Sequence, residues 1–257
     1  MSHAYARRQV FGRPPDMLAV EEPLEIRVND KPLAVTMRTP GHELELALGF
    51  LYTEGIIAGP PQVASARLCI DNANVVEVVL RHTTVDLEAR NFYTTSSCGV
   101  CGKASIDAVR VHSHHDVEAD TAIVSRETLI SLPDKLRQAQ RGFSRTGGSH
   151  AVGIFTPAGD LVVAREDVGR HNAMDKAIGT LFQSGRLPLA GCVVMLSGRA
   201  SFELTQKAWV AGAPVIAAVS APSTLAVDLA AEAGMTLIGF LRGESMNIYT
   251  RPDRVAS

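Results

Sequence analysis

The chain has 257 residues, 46% of them hydrophobic, and a formal net charge of −2 at pH 7. That length supports a substantial core or two modest domains, and 25 Lys and Arg against 27 Asp and Glu exclude a basic coat for nucleic acid. Four cysteines in so long a chain do not make a disulfide framework, and no apolar run reaches membrane-spanning length.

Residues 1–20 are polar, carry Arg7, Arg8 and Pro14-Pro15, and lack a signal-peptide core, so they read as a loose, disordered tail of a protein kept in the reducing cytoplasm. Order begins with Leu24, Ile26 and Val28, then Leu33, Val35 and Met37, alternating with polar residues across Asn29-Asp30: a hairpin. Thr39-Pro40 offers a hydroxyl cap and a proline for a helix whose Leu44, Ala47, Leu48 and Leu51 share one face. Glu43 and Glu45 fall on its solvated side. Residues 67–70 and 75–80 form a second hairpin across Asp71 to Asn74.

Next comes Ser97-Cys98-Gly99-Val100-Cys101-Gly102-Lys103. A zinc site or an iron–sulfur cluster needs four ligands, but Cys69 and Cys192 are solitary in apolar strand-like runs. A thioredoxin-type pair would follow a strand, whereas Asn91 to Ser97 is polar and loop-like. Burial as two small hydrophobes is a further reading, opposed by the flanking glycines and serines. A nucleophilic thiol suits the stretch well: bare glycines let a partner approach, and Lys103 with a following helix N-terminus would lower a thiol pKa that starts near ~8.5.

His112-Ser113-His114-His115-Asp116 reads as a solvated linker and a domain boundary. Ser125 caps a helix with Leu129, Leu132 and Leu136 on one face, which Pro133 should kink or restart. From residue 146 strands and helices alternate. Strands are expected at 151–155, 161–165, 192–196, 215–219, 236–240 and 247–250. Asn172 caps the helix carrying Met174, Ala177, Ile178 and Leu181, and residues 241–245 form a loop. The fold class is α/β, a mixed sheet flanked by helices over 116–257, preceded by a smaller α+β domain over 21–115 that carries the cysteine loop.

Polar residues collect after these strands: Arg165, Arg170, His171, Ser197, Arg199, Ser220, Ser223 and Arg242. Open α/β sheets bind ligands at the carboxyl ends of their strands, and helix N-termini favour phosphate. Taken singly, the arginines would pair with Glu166, Asp167 and Glu203. Taken as a set, they point to a ligand with several negative charges. No dinucleotide or Walker pattern accompanies them.

Several stretches together resemble one family: Arg38-Thr39-Pro40-Gly41-His42-Glu43-Leu44 with Glu54-Gly55-Ile56-Ile57; Ser97 to Gly102; Glu166-Asp167-Val168-Gly169-Arg170-His171-Asn172-Ala173 with Asp175-Lys176; and Ser197-Gly198-Arg199-Ala200-Ser201-Phe202-Glu203 with Ser220 to Ser223. Over roughly residues 21–251 the chain resembles the FdhD/NarQ family. The resemblance implies a sulfurtransferase that receives persulfide sulfur from a cysteine desulfurase. It passes that sulfur to the bis-molybdopterin guanine dinucleotide form of the molybdenum cofactor, as formate dehydrogenase requires. It implies Cys98 as the persulfide-forming residue and Cys101 as the second thiol. It places the cofactor segment at Phe240-Leu241-Arg242-Gly243-Glu244-Ser245, and Arg170, His171 and Arg199 join the expected phosphate contacts. The molybdenum cofactor is bound as substrate, with no catalytic metal of the protein's own. The resemblance further implies a cytidine-deaminase-like C-terminal domain and a homodimer; the deaminase zinc signature is missing, so base deamination is not implied. The competing reading is a non-catalytic carrier of the cofactor.

Overall fold

In the computed structural model, residues 4–81, 92–93, 111 and 113–256 are described. The elements run β1 (Tyr5–Val10), β2 (Arg13–Ala19), β3 (Glu22–Val28), β4 (Lys31–Arg38), α1 (Glu43–Thr53), β5 (Val63–Leu68), β6 (Val75–Leu80), β7 (Phe92–Tyr93), β8 (Val124–Ser125), α2 (Arg126–Ala139) and α3 (Arg141–Thr146). They continue with β9 (His150–Phe155), β10 (Leu161–Asp167), α4 (Arg170–Gln183), β11 (Val193–Leu196), α5 (Phe202–Val210), β12 (Val215–Ala218), α6 (Thr224–Glu232), β13 (Thr236–Arg242), β14 (Ser245–Thr250) and β15 (Val255–Ala256). This is a mixed α/β protein. Two units form, each discontinuous in sequence: Met1–Arg110 with Arg141–His150 and Glu166–Gln183, and Val111–Gln140 with Ala151–Arg165 and Ser184–Ser257. The sequence reading had placed a single cut near residue 115.

In the first unit a five-stranded sheet has the order β5-β6-β3-β4-β7. Leu24, Ile26 and Val28 of β3 and Val76 and Val78 of β6 are buried, as strict alternation over one covered face requires. Helices α1 and α4 cross so closely that neither tolerates a side chain at the crossing. A Cβ on Gly49 would lie 1.9 Å from the Asp175 carbonyl oxygen, and one on Gly179 would lie 1.8 Å from that of Glu45.

Three expectations are corrected here. Residues 5–19 are not a loose tail but an antiparallel hairpin, Tyr5 opposite Ala19. Its two-stranded ribbon has only edge strands, where Pro14 and Pro15 cost no ladder bond on an open side. Helix α1 starts at Glu43, not at Thr39-Pro40, with His42 in the left-handed conformation before it. Glu43 is buried, donated to by Gly41 N–H at 2.6 Å and paired with Arg38 at 3.3 Å, so it does not belong to a solvated face.

The second unit holds a six-stranded sheet in the order β10-β9-β11-β12-β13-β14. β11, β12 and β13 are mutually parallel, with β9 and β14 antiparallel at their flanks. Leu129, Leu132 and Leu136 of α2 pack with Phe155, Val193, Met195, Val215, Ala217, Ile238 and Leu241. Ser125 caps α2 by accepting from Thr128 N–H, and the helix continues through Pro133 without restarting. Strands β11 and β12 are buried at every position, as strands covered on both faces are. The C-terminal strand β15 pairs parallel with β8. Beside it Arg254 is buried, donating to the carbonyls of Gly234, Val117, Glu118 and Asp120.

Candidate functional site

The parallel strands β11, β12 and β13 end side by side, and their loops continue the ladder beyond the sheet. Val219 N–H donates to Leu196 O at 3.2 Å, Ser220 N–H to Gly198 O at 3.2 Å, and Ser223 N–H to Ala200 O at 3.0 Å. Phe240 N–H donates to Ser220 O at 3.1 Å. The loop carrying Arg199, the loop carrying Ser220 and the start of the 240–245 segment are thus laced in one row. Two helices begin from it. Ser223 caps α6 by accepting from Ala226 N–H at 3.3 Å. Ser201 stands at the N-cap of α5 but does not cap it; its buried hydroxyl oxygen has no hydrogen-bond partner among the described residues. Ser197 is held by accepting from Ala151 N–H at 2.8 Å. Exposed Arg199 lies at this edge of the sheet. The arrangement offers cations and helix N-termini together, which is what an anion needs.

The 240–245 segment is a hairpin rather than a loop. β13 runs through Arg242, which pairs with Ser245 across a Gly243-Glu244 turn. Gly243 has φ 54°, a left-handed backbone that glycine adopts without steric cost. Phe240 has φ 53°, unusual for so large a side chain and a form of strain that clusters at ligand sites. The Arg242 guanidinium lies 6.0 Å from the centre of the Phe240 ring. Glu244 accepts at its backbone oxygen from Arg126 at 2.8 Å, which fixes the turn. Leu241 is the exception: it is fully buried in the core and anchors the segment instead of facing outward. The sequence reading had counted it among the ligand contacts.

Arg170 and His171 belong to the first unit, at the start of α4. Helix α4 begins at Arg170, so Asn172 is not its cap. Asn172 instead donates to Met37 O at 2.7 Å and to Asp167 at 3.2 Å, and accepts from Thr36. Arg170 Nε is buried with no hydrogen-bond partner among the described residues. His150, which sequence reasoning passed over, shares this environment. Its side chain is exposed at the start of β9, and partial desolvation holds its pKa below the ordinary histidine value, helped by the charges of Arg170 and His171 and opposed by Asp167.

Two of the carboxylates expected to pair with the arginines, Glu166 and Asp167, are engaged elsewhere. Glu166 accepts from the Gly142 and Phe143 backbone N–H groups and from Ser149, all at 2.8 Å. Asp167 pairs with Lys176. Cys98 and Cys101 lie outside the described residues. Of the other cysteines, Cys192 has its thiol pKa pushed up by burial, which disfavours the reactive thiolate. Among the described residues no group of three or more His, Cys, Asp or Glu side chains could hold a metal, and no helix is long and apolar enough to cross a membrane.

The model of the FdhD/NarQ family matches residues 19–256. The chain belongs to the FdhD/NarQ family. The match begins where the β1–β2 hairpin ends. Relatives named sulfur carrier protein FdhD are 55% identical in Streptomyces avermitilis and 56% in Streptomyces coelicolor, covering 94% of this chain and 90% of each relative. The relative of that name in Mycobacterium tuberculosis is 53% identical, covering 96% of this chain and 94% of its own. The crystal structure of a candidate formate dehydrogenase accessory protein from Desulfotalea psychrophila superposes with a TM-score of 0.79 at 23% identity, covering 98% of this chain and 100% of the other, and so shares the fold.

Proposed function

We propose that this FdhD/NarQ member is a sulfurtransferase of formate dehydrogenase maturation. Cys98 accepts sulfur from a cysteine desulfurase and delivers it to the bis-molybdopterin guanine dinucleotide form of the molybdenum cofactor. The observation that carries the reading is the identity of more than half of the residues, over nearly the whole chain, to proteins named sulfur carrier protein FdhD.

The chemistry is thiol–disulfide exchange. The Cys98 thiolate attacks the outer sulfur of the donor's persulfide, and the donor's cysteine leaves as its thiolate. The outer sulfur then passes to the cofactor as sulfane sulfur, Cys98 leaves as its thiolate, and the two electrons that bring the sulfur to the sulfide level come from the cofactor's reduced metal. Cys101 is the second thiol of the loop. The cofactor is substrate and the protein needs no metal of its own. Its phosphates meet Arg199, Arg242 and the N-termini of α5 and α6, and Phe240, Gly243, Glu244 and Ser245 border them. The second unit is read as the cytidine-deaminase-like layer, and the working form as a cytoplasmic homodimer.

The test is complementation of a strain lacking its own family member. Cys98→Ala should leave formate dehydrogenase inactive. A strain that regains activity with Cys98→Ala would mean that the protein binds and presents the cofactor without carrying its sulfur.

A further inference from the structure

The pairing of β13 with β14 breaks twice, and an aromatic residue sits at each break. Ile238 faces Ile248, but Leu237 faces Thr250, which leaves Tyr249 as the extra residue on β14. Gly239 faces Asn247, but Arg242 faces Ser245, so Phe240 and Leu241 share the place opposite Met246. A bulge re-aims the side chain it carries, and bulges concentrate beside ligand sites.

The effect on Tyr249 is specific. A Cβ on Gly239 would meet the Tyr249 ring at 3.1 Å and the Pro222 ring at 2.8 Å. The Tyr249 ring therefore lies over a residue with no side chain, next to the loop whose Ser220 oxygen accepts from Phe240. It is 39% exposed, on the edge strand of the sheet. An aromatic ring open to solvent matches a flat heteroaromatic ring: stacking supplies attraction and tolerates any base.

We propose that Tyr249 is the stacking surface for the purine base of the bound nucleotide, a role that rests on reading this end of the sheet as the cofactor's guanine nucleotide site. The phosphates lie toward the α5 and α6 N-termini, and the base lies on Tyr249 beside Pro222. Tyr249 binds the base and takes no part in sulfur transfer.

Calorimetric titration of the full chain with GDP and with pyrophosphate separates the two ends. Tyr249→Leu should weaken GDP binding about ten-fold, while Tyr249→Phe keeps it, as expected for loss of one stacking partner. Pyrophosphate affinity should be unchanged in both variants. Equal GDP affinity in wild type and Tyr249→Leu overturns the role of Tyr249 and leaves the nucleotide site standing. A wild-type chain that binds neither GDP nor pyrophosphate overturns the site itself. A second measurement needs no variant: in tyrosine-labelled wild type, saturating GDP should shift the Tyr249 ring resonance upfield and pyrophosphate should not. A ring resonance indifferent to GDP counts against the proposal.

Discussion

Lys176 Nζ lies 2.6 Å from Asp167 Oδ2, and both side chains are sealed from solvent. The pair is the hub of the first unit. Asp167 also accepts from the Thr39 N–H at 3.0 Å and the Gly169 N–H at 2.8 Å, and Lys176 donates to Thr39 O at 2.8 Å. One ion pair thereby ties β4, the turn after β10 and α4 into one arrangement, directly before Arg170 and His171. Removing one member leaves a buried charge without its counterpart, at a cost of about 3–5 kcal/mol. Lys176→Met should lower unfolding free energy by that amount in denaturant titration. Adding Asp167→Asn to it should cost less than the two single changes summed, because the partners are coupled.

The α1–α4 crossing gives a second prediction. A methyl group at Gly49 or Gly179 would overlap a backbone carbonyl, which cannot swing aside as a flexible side chain can. Overpacking of this kind costs about 3 kcal/mol or more. Gly49→Ala and Gly179→Ala should each lower the thermal midpoint sharply, whereas Gly185→Ala, with no atom within 4 Å of the added carbon, should show only the milder strain of its positive φ.

Acid should weaken the fold through two histidines. Partial desolvation lowers the pKa of the exposed His150, aided by Arg170 and His171, and burial then His114 lowers that of half-buried His115. A folded-state pKa below the unfolded one means that the unfolded chain takes up more protons as pH falls. The stability linked to the two neutral rings is thus complete above about pH 6.5 and is lost as the pH drops below it. The thermal midpoint should fall between about pH 7.5 and about pH 5.5, and His150→Gln should flatten part of that slope. A midpoint that rises over this range would contradict the assignment.

The sequence made the second unit easier to read than the first. Val193 to Leu196 and Val215 to Ala218 are short, β-branched-rich apolar runs between turn residues, a pattern that fits strands covered on both faces. The starts of α1 and α4 were misread because Thr39 and Asn172, good caps by type, bond across more than a hundred residues to the Asp167 turn and to β4. Local preference yields where a buried carboxylate needs partners. Glu43 was misplaced for a different reason: its partners Arg38 and Gly41 are close in sequence, but only the turn between β4 and α1 folds them onto it. At the site, Arg199 was legible as a polar residue after a strand, and Phe240 only through the family resemblance. Tyr249 was not, because a bulge depends on the register between two strands, and register is a tertiary property.

The central claim is that Cys98 carries sulfur. Intact mass spectrometry of the protein after incubation with a cysteine desulfurase and cysteine tests it most directly. The account predicts one added sulfur on the wild type, removed by a reductant and absent from Cys98→Ala, with Cys192 unmodified in both. Sulfur that persists on Cys98→Ala would contradict it.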